Sequence, residues 1–428
     1  MRVLWTSMYE FPALSKKIGH KSNVFGGWVN ASANALLRDF PELKLGVIIP
    51  SEVKSLEKDE IDDITFYRVP CKSHIDYSFT LKQATLAVVD DFKPDIIHVN
   101  GTEHVVGLAL LDGVGDEVPI VSTIQGLAHV CKFYTDGGIK TEMKHFVTLR
   151  DLFGQSSLRT QAKLMRERGN LEEQIIRKLQ FIIGRTTWDK SHVIALNPSI
   201  NYYHCNESLR PTFFEHEWDY QRCNKHSILV SNGTSALKGV HQVIKALPLI
   251  KLVYPDVKVN IVGDDFFSSK SFKERLHVTG YQKYLFYLAK TLGVQKNIQF
   301  LGMLSEREMC QAFLDCNVYV LPSYIENSPN SLGEAQVLGV PAISSYVGGV
   351  PSLIEEGKTG CMYRYEEYEM LAQLVIQFFK AKDCPELHHQ ERECGLTRHN
   401  PKVNAMRMYE IYLTIVELYE KGNENINM

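Results

Sequence analysis

The chain has 428 residues, with 47 Lys and Arg against 50 Asp and Glu, a net charge of −3. This length exceeds what one hydrophobic core usually serves and predicts two domains of about 200 residues each. The charge gives no case for nucleic-acid binding, and nine cysteines without CxxC pairs argue against a disulfide framework or a zinc site. The sequence shows no membrane-spanning run and no signal peptide at its start, so we expect a cytoplasmic protein.

The first half alternates short apolar strands with helices. Residues 2–7 read as a buried strand, and a long loop ending at Gly26-Gly27 leads into a helical pattern. Further strands are predicted at 45–49, 64–69, 96–99, 120–123 and 193–196, with a helix at 80–92. Continuous apolar strands separated by helices predict a parallel sheet covered on both faces.

The second half repeats this alternation of strands and helices. It follows a stretch at 211–226 in which apolar residues have neither strand nor helix spacing. Strands are predicted at 228–231, 257–262, 298–301, 317–321 and 341–344, and helices around 240–253, 272–292, 305–315 and 403–419. We therefore predict an α/β protein with two doubly wound, Rossmann-like domains facing a central cleft. The expected boundaries are 1–212 for the first domain and 213–402 for the second, with 403–428 as a helix that crosses back to the first.

The segment 321–351, LPSYIENSPNSLGEAQVLGVPAISSYVGGVP, is the most informative part of the chain. A buried strand breaks at Pro322 into a polar loop, and helical spacing resumes at Leu332. Glu326 and Glu334 flank that loop and first turn. The first N–H groups of a helix have no internal partner and carry partial positive charge, so this end can bind a diphosphate without a metal.

The two glutamates need a different target on the same ligand, because a carboxylate is a poor ligand for phosphate. Carboxylates accept strong charge-assisted hydrogen bonds from hydroxyl groups. A nucleotide sugar offers hydroxyls on both sides of its diphosphate.

This segment resembles the signature of glycosyltransferase family 4, retaining enzymes of the GT-B fold. The resemblance lies in Pro322-Ser323, two glutamates eight positions apart, and the Gly-x-Pro and Gly-Gly-x-Pro turns at 339–341 and 348–351. It implies that Glu326 contacts the donor sugar and Glu334 the ribose hydroxyls. It also implies that the amides of Asn330, Ser331 and Leu332 hold the diphosphate.

Lys238 follows the first strand of the second half and is similar to a family lysine that contacts the donor phosphates. Many members also carry an arginine five or six residues earlier, where this chain has Asn232 and Gly233. Another cation would then replace it, and Arg185 and Arg210 are the candidates. Each is as readily explained by a structural ion pair.

Further donor contacts are implied by the resemblance. Gly26 and Gly27 match the first glycine loop, and Gln125 stands where members often carry a histidine facing the donor sugar, although an amide cannot act as acid or base. The loops that border the nucleotide base begin at Gly263, Asp264, Gly302 and Met303. Because backbone groups dominate such recognition, the side chains do not tell whether the donor is a UDP, GDP or ADP sugar.

The sequence carries fewer signals for acceptor binding than for donor binding. Glu103 and His104 follow a predicted strand and are the candidates for acceptor binding. Residues 139–192 hold 11 Lys and Arg against 6 Asp and Glu with interspersed apolar residues, so this stretch is a candidate for peripheral contact with the inner face of a membrane, although solvated basic helices are commoner.

These features predict a retaining hexosyltransferase that moves a sugar from a nucleoside diphosphate to a hydroxyl of a glycan, lipid-linked glycan or similar acceptor, as in polysaccharide biosynthesis. Glu326, Lys238 and Gln125 are its candidate catalytic residues, and no metal or other cofactor is expected. Two alternatives stay open. One is a sugar-nucleotide epimerase of similar fold, and the other is a non-catalytic nucleotide-sugar-binding protein.

Overall fold

The computed structural model describes residues 1–20, 26–142, 146, 148, 157–233, 235–266, 278–381 and 385–426. The chain folds as two compact units. Unit 1 comprises residues 1–129, 166–210 and 399–428, and unit 2 comprises residues 130–165 and 211–398. Residues 130–165, which the sequence analysis assigned to the first domain, are thus part of unit 2.

Unit 1 contains an eight-stranded sheet in the order β3-β4-β2-β1-β5-β6-β7-β8. The strands are β1 (Arg2–Thr6), β2 (Lys44–Ser51), β3 (Glu57–Ile61), β4 (Ile64–Pro70), β5 (Ile96–Asn100), β6 (Ile120–Thr123), β7 (Phe181–Gly184) and β8 (Asn201–His204). Every neighbouring pair is parallel except the edge pair β3 and β4. The central strands are buried along their length, as expected for a sheet covered on both faces.

Helices connect these strands and cover the sheet. Those of the first half span Pro12–Ile18, Gly27–Asp39, Phe79–Phe92, Val105–Val114, Ala128–Cys131, Leu158–Lys178 and Thr187–Leu196. The predicted strand at 193–196 is wrong, because these residues end the helix Thr187–Leu196. That helix starts with a capping box in which Thr186 and Asp189 satisfy each other's backbone N–H groups. The neighbouring strands are β7 and β8 instead.

The last helix, Pro401–Ile426, belongs to unit 1 and enters its core through Tyr412. The indole of Trp5 donates to the Tyr412 hydroxyl at 2.9 Å, and the same hydroxyl lies 2.6 Å from Nδ1 of His98. The other ring nitrogen of His98 lies 2.6 Å from the hydroxyl of Thr123. This buried chain of hydrogen bonds ties the helix to β1, β5 and β6.

Unit 2 contains a six-stranded, wholly parallel sheet in the order β11-β10-β9-β12-β13-β14. Its strands are β9 (Ser227–Val230), β10 (Lys258–Ile261), β11 (Ile298–Phe300), β12 (Val318–Leu321), β13 (Ala342–Ser345) and β14 (Cys361–Tyr363). Its helices are Val240–Val253, Gly280–Thr291, Glu306–Asp315, Asn330–Leu338, Tyr368–Ala381 and Pro385–Arg398. The five predicted strands are confirmed, and β14 was missed. Part of the predicted helix 272–292 lies outside the described residues.

The segment after residue 130 joins unit 2 through its backbone. The carbonyl of Gly137 accepts hydrogen bonds from the Tyr365 hydroxyl at 2.7 Å and from Nε2 of His241 at 3.1 Å. Gly137 has φ +60°, and a Cβ there would lie 2.3 Å from the carbonyl oxygen of Ala236, so only glycine fits.

Farther along, Phe146 packs against Tyr284 and Tyr287, with ring centroids 5.4 and 5.3 Å apart. Much of the stretch 143–156 lies outside the described residues, and membrane contact through 139–192 stays a prediction. Among the helices that the structure describes, none has the length and apolar character to cross a bilayer.

Candidate functional site

In unit 2 the loops that follow β9 and β12 bring Lys238 and Glu326 together. The Lys238 ammonium donates to a carboxylate oxygen of Glu326 at 2.6 Å, and the hydroxyl of Ser323 donates to the same oxygen at 2.7 Å. The side chains are 29% and 12% exposed, so neither projects into bulk solvent. The two predicted catalytic groups of this unit, 88 residues apart in sequence, thus form one ion pair at the carboxyl edge of the sheet.

Two glycines allow these loops to pack backbone against backbone. A Cβ on Gly239 would lie 1.7 Å from the carbonyl oxygen of Pro322, and one on Gly348 would lie 1.9 Å from that of Glu326. Both have positive φ, +70° and +51°, a region that glycine occupies without strain. The loops after β9, β12 and β13 are therefore locked around Glu326 by steric fit.

The helix Asn330–Leu338 points its N-terminus at the same edge. Its N-cap is Pro329, whose carbonyl accepts from the amides of Leu332 and Gly333. Among the described residues, the amides of Asn330 and Ser331 are the ones left available at this end. The Ser331 hydroxyl accepts from the buried Tyr319 hydroxyl at 2.8 Å, which orients the first turn. Glu334, one turn in, is 5% exposed. The helix starts two residues before the predicted first apolar position, Leu332.

The remaining predicted residues of unit 2 lie at the ends of β9, β10 and β11. Gly263 and Gly302 exchange two backbone hydrogen bonds, of 3.0 and 3.1 Å, which fix the two loops to each other. The exposed residues Asp264 and Met303 adjoin this bridge. Gly233 follows Asn232 beyond β9, and a Cβ there would lie 2.5 Å from the side chain of Ile261.

In unit 1, Gly26 and Gly27 begin the helix Gly27–Asp39. The ring of Tyr9 lies on Gly26, where a Cβ would come within 2.5 Å of it, and Gly26 has φ +80°. The aliphatic part of Arg210 lies against Gly27, 3.2 Å from where a Cβ would be. The structure thus brings one of the two candidate arginines to the glycine turn.

The other arginine, Arg185, is committed to a structural ion pair. Its guanidinium is almost fully buried, lies 2.6 Å from the Glu207 carboxylate and donates to the carbonyl of Ile124. A guanidinium that is buried and already paired is a poor phosphate ligand. This geometry therefore argues against the predicted role of Arg185 in binding phosphate. Gln125, the next residue after Ile124, has a buried side-chain nitrogen with no hydrogen-bond partner among the described residues.

Glu103 and His104 follow β5 and lie together. Nε2 of His104 is 3.4 Å from a Glu103 carboxylate oxygen, and the His104 ring makes an edge contact with His74 at 6.1 Å between centroids. Within the described part of the chain, Oε2 of Glu103 and Nδ1 of His104 are buried without a hydrogen-bond partner. Burial lowers the pKa of His104 below its usual value, despite the opposing effect of Glu103.

Sequence analysis missed three residues that interact electrostatically with this pair. They are Tyr9, His74 and Arg168. Burial and the Glu103 charge raise the pKa of Tyr9, while the Arg168 charge opposes that shift and lowers the pKa of both His74 and His104. These three residues come from distant segments, and no local motif marks them.

Comparisons with known proteins bear on unit 2 most directly. Residues 217–394 match the family model described as glycosyl transferases group 1. The chain is 26% identical over 188 residues to the D-inositol 3-phosphate glycosyltransferase of Corynebacterium urealyticum, and 25% identical over 194 residues to spore coat protein SA of Bacillus subtilis. Each match covers 44% of this chain, and they span 42% and 49% of those relatives, less than half their lengths.

Solved structures match along nearly the whole chain. Sucrose-phosphate synthase from Thermosynechococcus elongatus superimposes with a TM-score of 0.71 at 15% identity, covering 98% of this chain and 100% of that one. The Anabaena protein HepE, solved with UDP and glucose, gives a TM-score of 0.62 at 15% identity, covering 97% and 100%. At these identities the likeness shows the fold.

The chain is therefore an α/β protein of GT-B architecture with two parallel-sheet domains, as predicted. Its residues 217–394 are similar to the glycosyl transferases group 1 family. The resemblance drawn from residues 322–351 is confirmed at this level, while membership of family 4 stays a prediction.

Proposed function

We propose that the protein is a retaining glycosyltransferase that transfers a sugar from a nucleoside diphosphate to an acceptor hydroxyl. The observation that carries the proposal is the arrangement at one edge of the unit 2 sheet. There Lys238 and Glu326 pair at 2.6 Å beside the available amides of Asn330 and Ser331. One ammonium and several N–H groups suit a diphosphate, and the adjoining carboxylates suit hydroxyls.

The proposed mechanism uses this charge distribution at the leaving group. As the glycosidic bond breaks, negative charge grows on the diphosphate, and Lys238 and the helix amides stabilise it. The donor diphosphate takes over the ammonium that Glu326 holds, and Glu326 accepts from a hydroxyl of the sugar. The acceptor oxygen attacks from the side that the diphosphate leaves, and a phosphate oxygen takes its proton. This route needs no protein nucleophile.

Glu334 is assigned to the ribose and the bridged loops at Gly263 and Gly302 to the base. The Anabaena protein HepE has been solved with UDP and with UDP-glucose, which makes UDP sugars the first donors to test. The acceptor side is assigned to unit 1, where Glu103 and His104 present buried acceptor atoms without partners among the described residues. Arg210 beside Gly27 is the proposed second cation. We place the enzyme in the cytoplasm, with contact through 139–192 as its proposed link to a membrane-borne acceptor.

Turnover provides the central test. The purified protein is incubated with UDP, GDP and ADP sugars and a cell extract as acceptor source, and nucleoside diphosphate release and product are measured. We expect release with one donor class and a loss of kcat of about 10²–10³ in Lys238→Ala, because a preorganised charge at the leaving group is removed. The matched control is Lys290→Ala, an exposed lysine on another helix of unit 2.

Each alternative gives a different result. An epimerase would return an isomerised sugar nucleotide without transfer to the extract. A non-catalytic protein would bind the donor and release no diphosphate. Lys238→Ala with unchanged kcat would contradict the mechanism.

A second test separates the two glutamates. Glu334→Ala should weaken binding of the nucleoside diphosphate itself, whereas Glu326→Ala should weaken only the intact sugar nucleotide, because its target is on the sugar. Isothermal titration with both ligands measures this, with the exposed Glu393→Ala as control. Equal losses for both ligands in both variants would contradict the assigned roles.

A further inference from the structure

A chain of hydrogen-bonded hydroxyl groups lies in unit 2 at the first turn of the helix Asn330–Leu338. The Tyr319 hydroxyl donates to the Ser331 hydroxyl at 2.8 Å, and it also lies 2.9 Å from the hydroxyl of Ser231. Tyr319 is part of β12, Ser231 directly follows β9, and Ser331 lies in the first turn of the helix. The chain therefore joins two neighbouring strands to the helix end that the proposed function assigns to the diphosphate.

The direction of these hydrogen bonds follows from the number of protons. A phenol has one proton, and Tyr319 gives it to Ser331, so Ser231 must donate to the Tyr319 oxygen. Ser331 accepts through its oxygen, which leaves its own proton for another acceptor. No residue in the described part of the chain takes that proton. Ser331, which is only partly buried, thus offers a hydroxyl donor next to its own backbone amide.

The Tyr319 side chain is held firmly in the core. It is fully buried, and its ring packs against the ring of Phe313 with centroids 4.9 Å apart. Burial raises the pKa of Tyr319 above its usual value, so the hydroxyl keeps its proton at neutral pH and stays a donor. Because Tyr319 is fixed in position and protonation, the orientation of the Ser331 hydroxyl is fixed as well.

We propose that Tyr319 is a positioning residue for the donor diphosphate. By donating to the Ser331 oxygen, it directs the Ser331 proton toward a phosphate oxygen of the nucleotide sugar. The same hydrogen bond polarises the Ser331 hydroxyl, which strengthens its donation to an anion. This inference rests on the proposed function, and it adds a neutral side-chain donor to the ammonium of Lys238 and the helix amides.

The variant Tyr319→Phe tests this role, because it removes the hydroxyl and keeps the ring against Phe313. UDP, GDP and ADP are titrated calorimetrically, and the tightest of the three is then compared with its own nucleoside, whose affinity is measured by competition. We expect Tyr319→Phe to bind the diphosphate about three- to tenfold more weakly, the loss of one hydrogen bond, and to bind the nucleoside as the native protein does.

The matched control is Tyr363→Phe. The Tyr363 hydroxyl is also buried in unit 2, but it has no hydrogen-bond partner among the described residues. This variant should bind both ligands with native affinity. A loss of nucleoside affinity in Tyr319→Phe equal to its loss of diphosphate affinity would overturn the proposal, since it would indicate a general disturbance of the unit.

A double-variant cycle shows whether Tyr319 acts through Ser331. Ser331→Ala should weaken diphosphate binding by about ten- to a hundredfold, because it removes a hydrogen bond to a charged group. Adding Tyr319→Phe to Ser331→Ala should then cause no further loss. Additive losses, or native diphosphate affinity in Tyr319→Phe, would overturn the proposal. Turnover that still depends on Lys238 would show that the proposed function survives this failure.

Discussion

The two candidate sites are built in opposite ways. In unit 2 the loops touch backbone to backbone through Gly239 and Gly348, and Lys238 and Glu326 already satisfy each other. In unit 1 the corresponding strand ends carry buried atoms without partners among the described residues, on Glu103, His104 and Gln125. A site whose shape comes from its backbone requires particular residues at particular positions. A site made of side chains from distant segments tolerates substitution of those side chains more readily.

The largest effect is expected where unit 1 holds a buried charge pair. Arg185→Met leaves the Glu207 carboxylate buried without its cation, so the free energy of unfolding should fall by about 3–5 kcal/mol. Urea denaturation followed by hydrogen exchange of the β6 and β7 amides measures the loss in this unit.

The double variant Arg185→Met/Glu207→Gln should recover part of that loss, because it removes the stranded charge. The control is Asp90→Ala, which breaks the exposed pair with Lys93 and should cost less than about 1 kcal/mol. A small effect of Arg185→Met would mean that water reaches the pair, and would reopen a role for this arginine at phosphate.

The next largest loss of stability is expected in unit 2, when a methyl group is added at Gly239. Gly239→Ala forces a Cβ into the Pro322 carbonyl and strains a positive φ, so we expect a loss of about 2–4 kcal/mol together with weaker donor binding. Gly357→Ala is a matched control, since Gly357 has φ +75° and open space around its Cβ position. It should cost only about 1 kcal/mol. Equal costs would show that the loops can separate, contrary to the steric lock described above.

The smallest effects should come from two buried histidines, one in each unit. Burial lowers the pKa of both His98 and His241 to about 3. In the unfolded chain a histidine has a pKa near 6.5, so below that pH only the unfolded state takes up the proton. Stability is therefore fully present above pH 6.5 and is lost as the pH falls toward 3. Between these pKa values, each histidine should lower the free energy of unfolding by up to about 1.4 kcal/mol for every unit by which the pH falls.

Hydrogen exchange of β5 and of β9 amides between pH 7 and pH 5 separates the two units. His98→Gln should flatten the pH dependence of unit 1 alone, and His241→Gln that of unit 2 alone. A variant that changes neither slope would show that its histidine already titrates normally in the folded protein.

Much of the architecture was predictable because buried parallel strands are continuous apolar runs. All five strands predicted for the second half are present, and the helix predicted at 240–253 has the bounds seen in the structure. The wrong strand at 193–196 came from a short apolar run that a strand and a buried helix turn share. The capping box at Thr186 and Asp189 was the overlooked signal. Edge strands such as β8, with exposed or half-buried residues, give no such run.

The site was predictable only where one stretch of sequence supplies it. Glu326, Asn330, Ser331 and Glu334 lie within nine residues, so their common location follows from one loop and one helix start. His74 and the Glu103–His104 pair come from separate segments, and their contact depends on the order of the strands. Tyr9 and Arg168 carry no local mark that distinguishes them from ordinary surface residues.

The hydrogen bonds of Tyr412 to Trp5 and His98 have a consequence for biosynthesis. The strand Arg2–Thr6 of unit 1 is synthesised long before the helix Pro401–Ile426 that closes the core of this unit. Unit 2, whose residues end at 398, is complete in the nascent chain before that helix emerges. The sheet of unit 1 therefore keeps the apolar face that Ile411, Tyr412 and Ile415 cover exposed until this helix has been made.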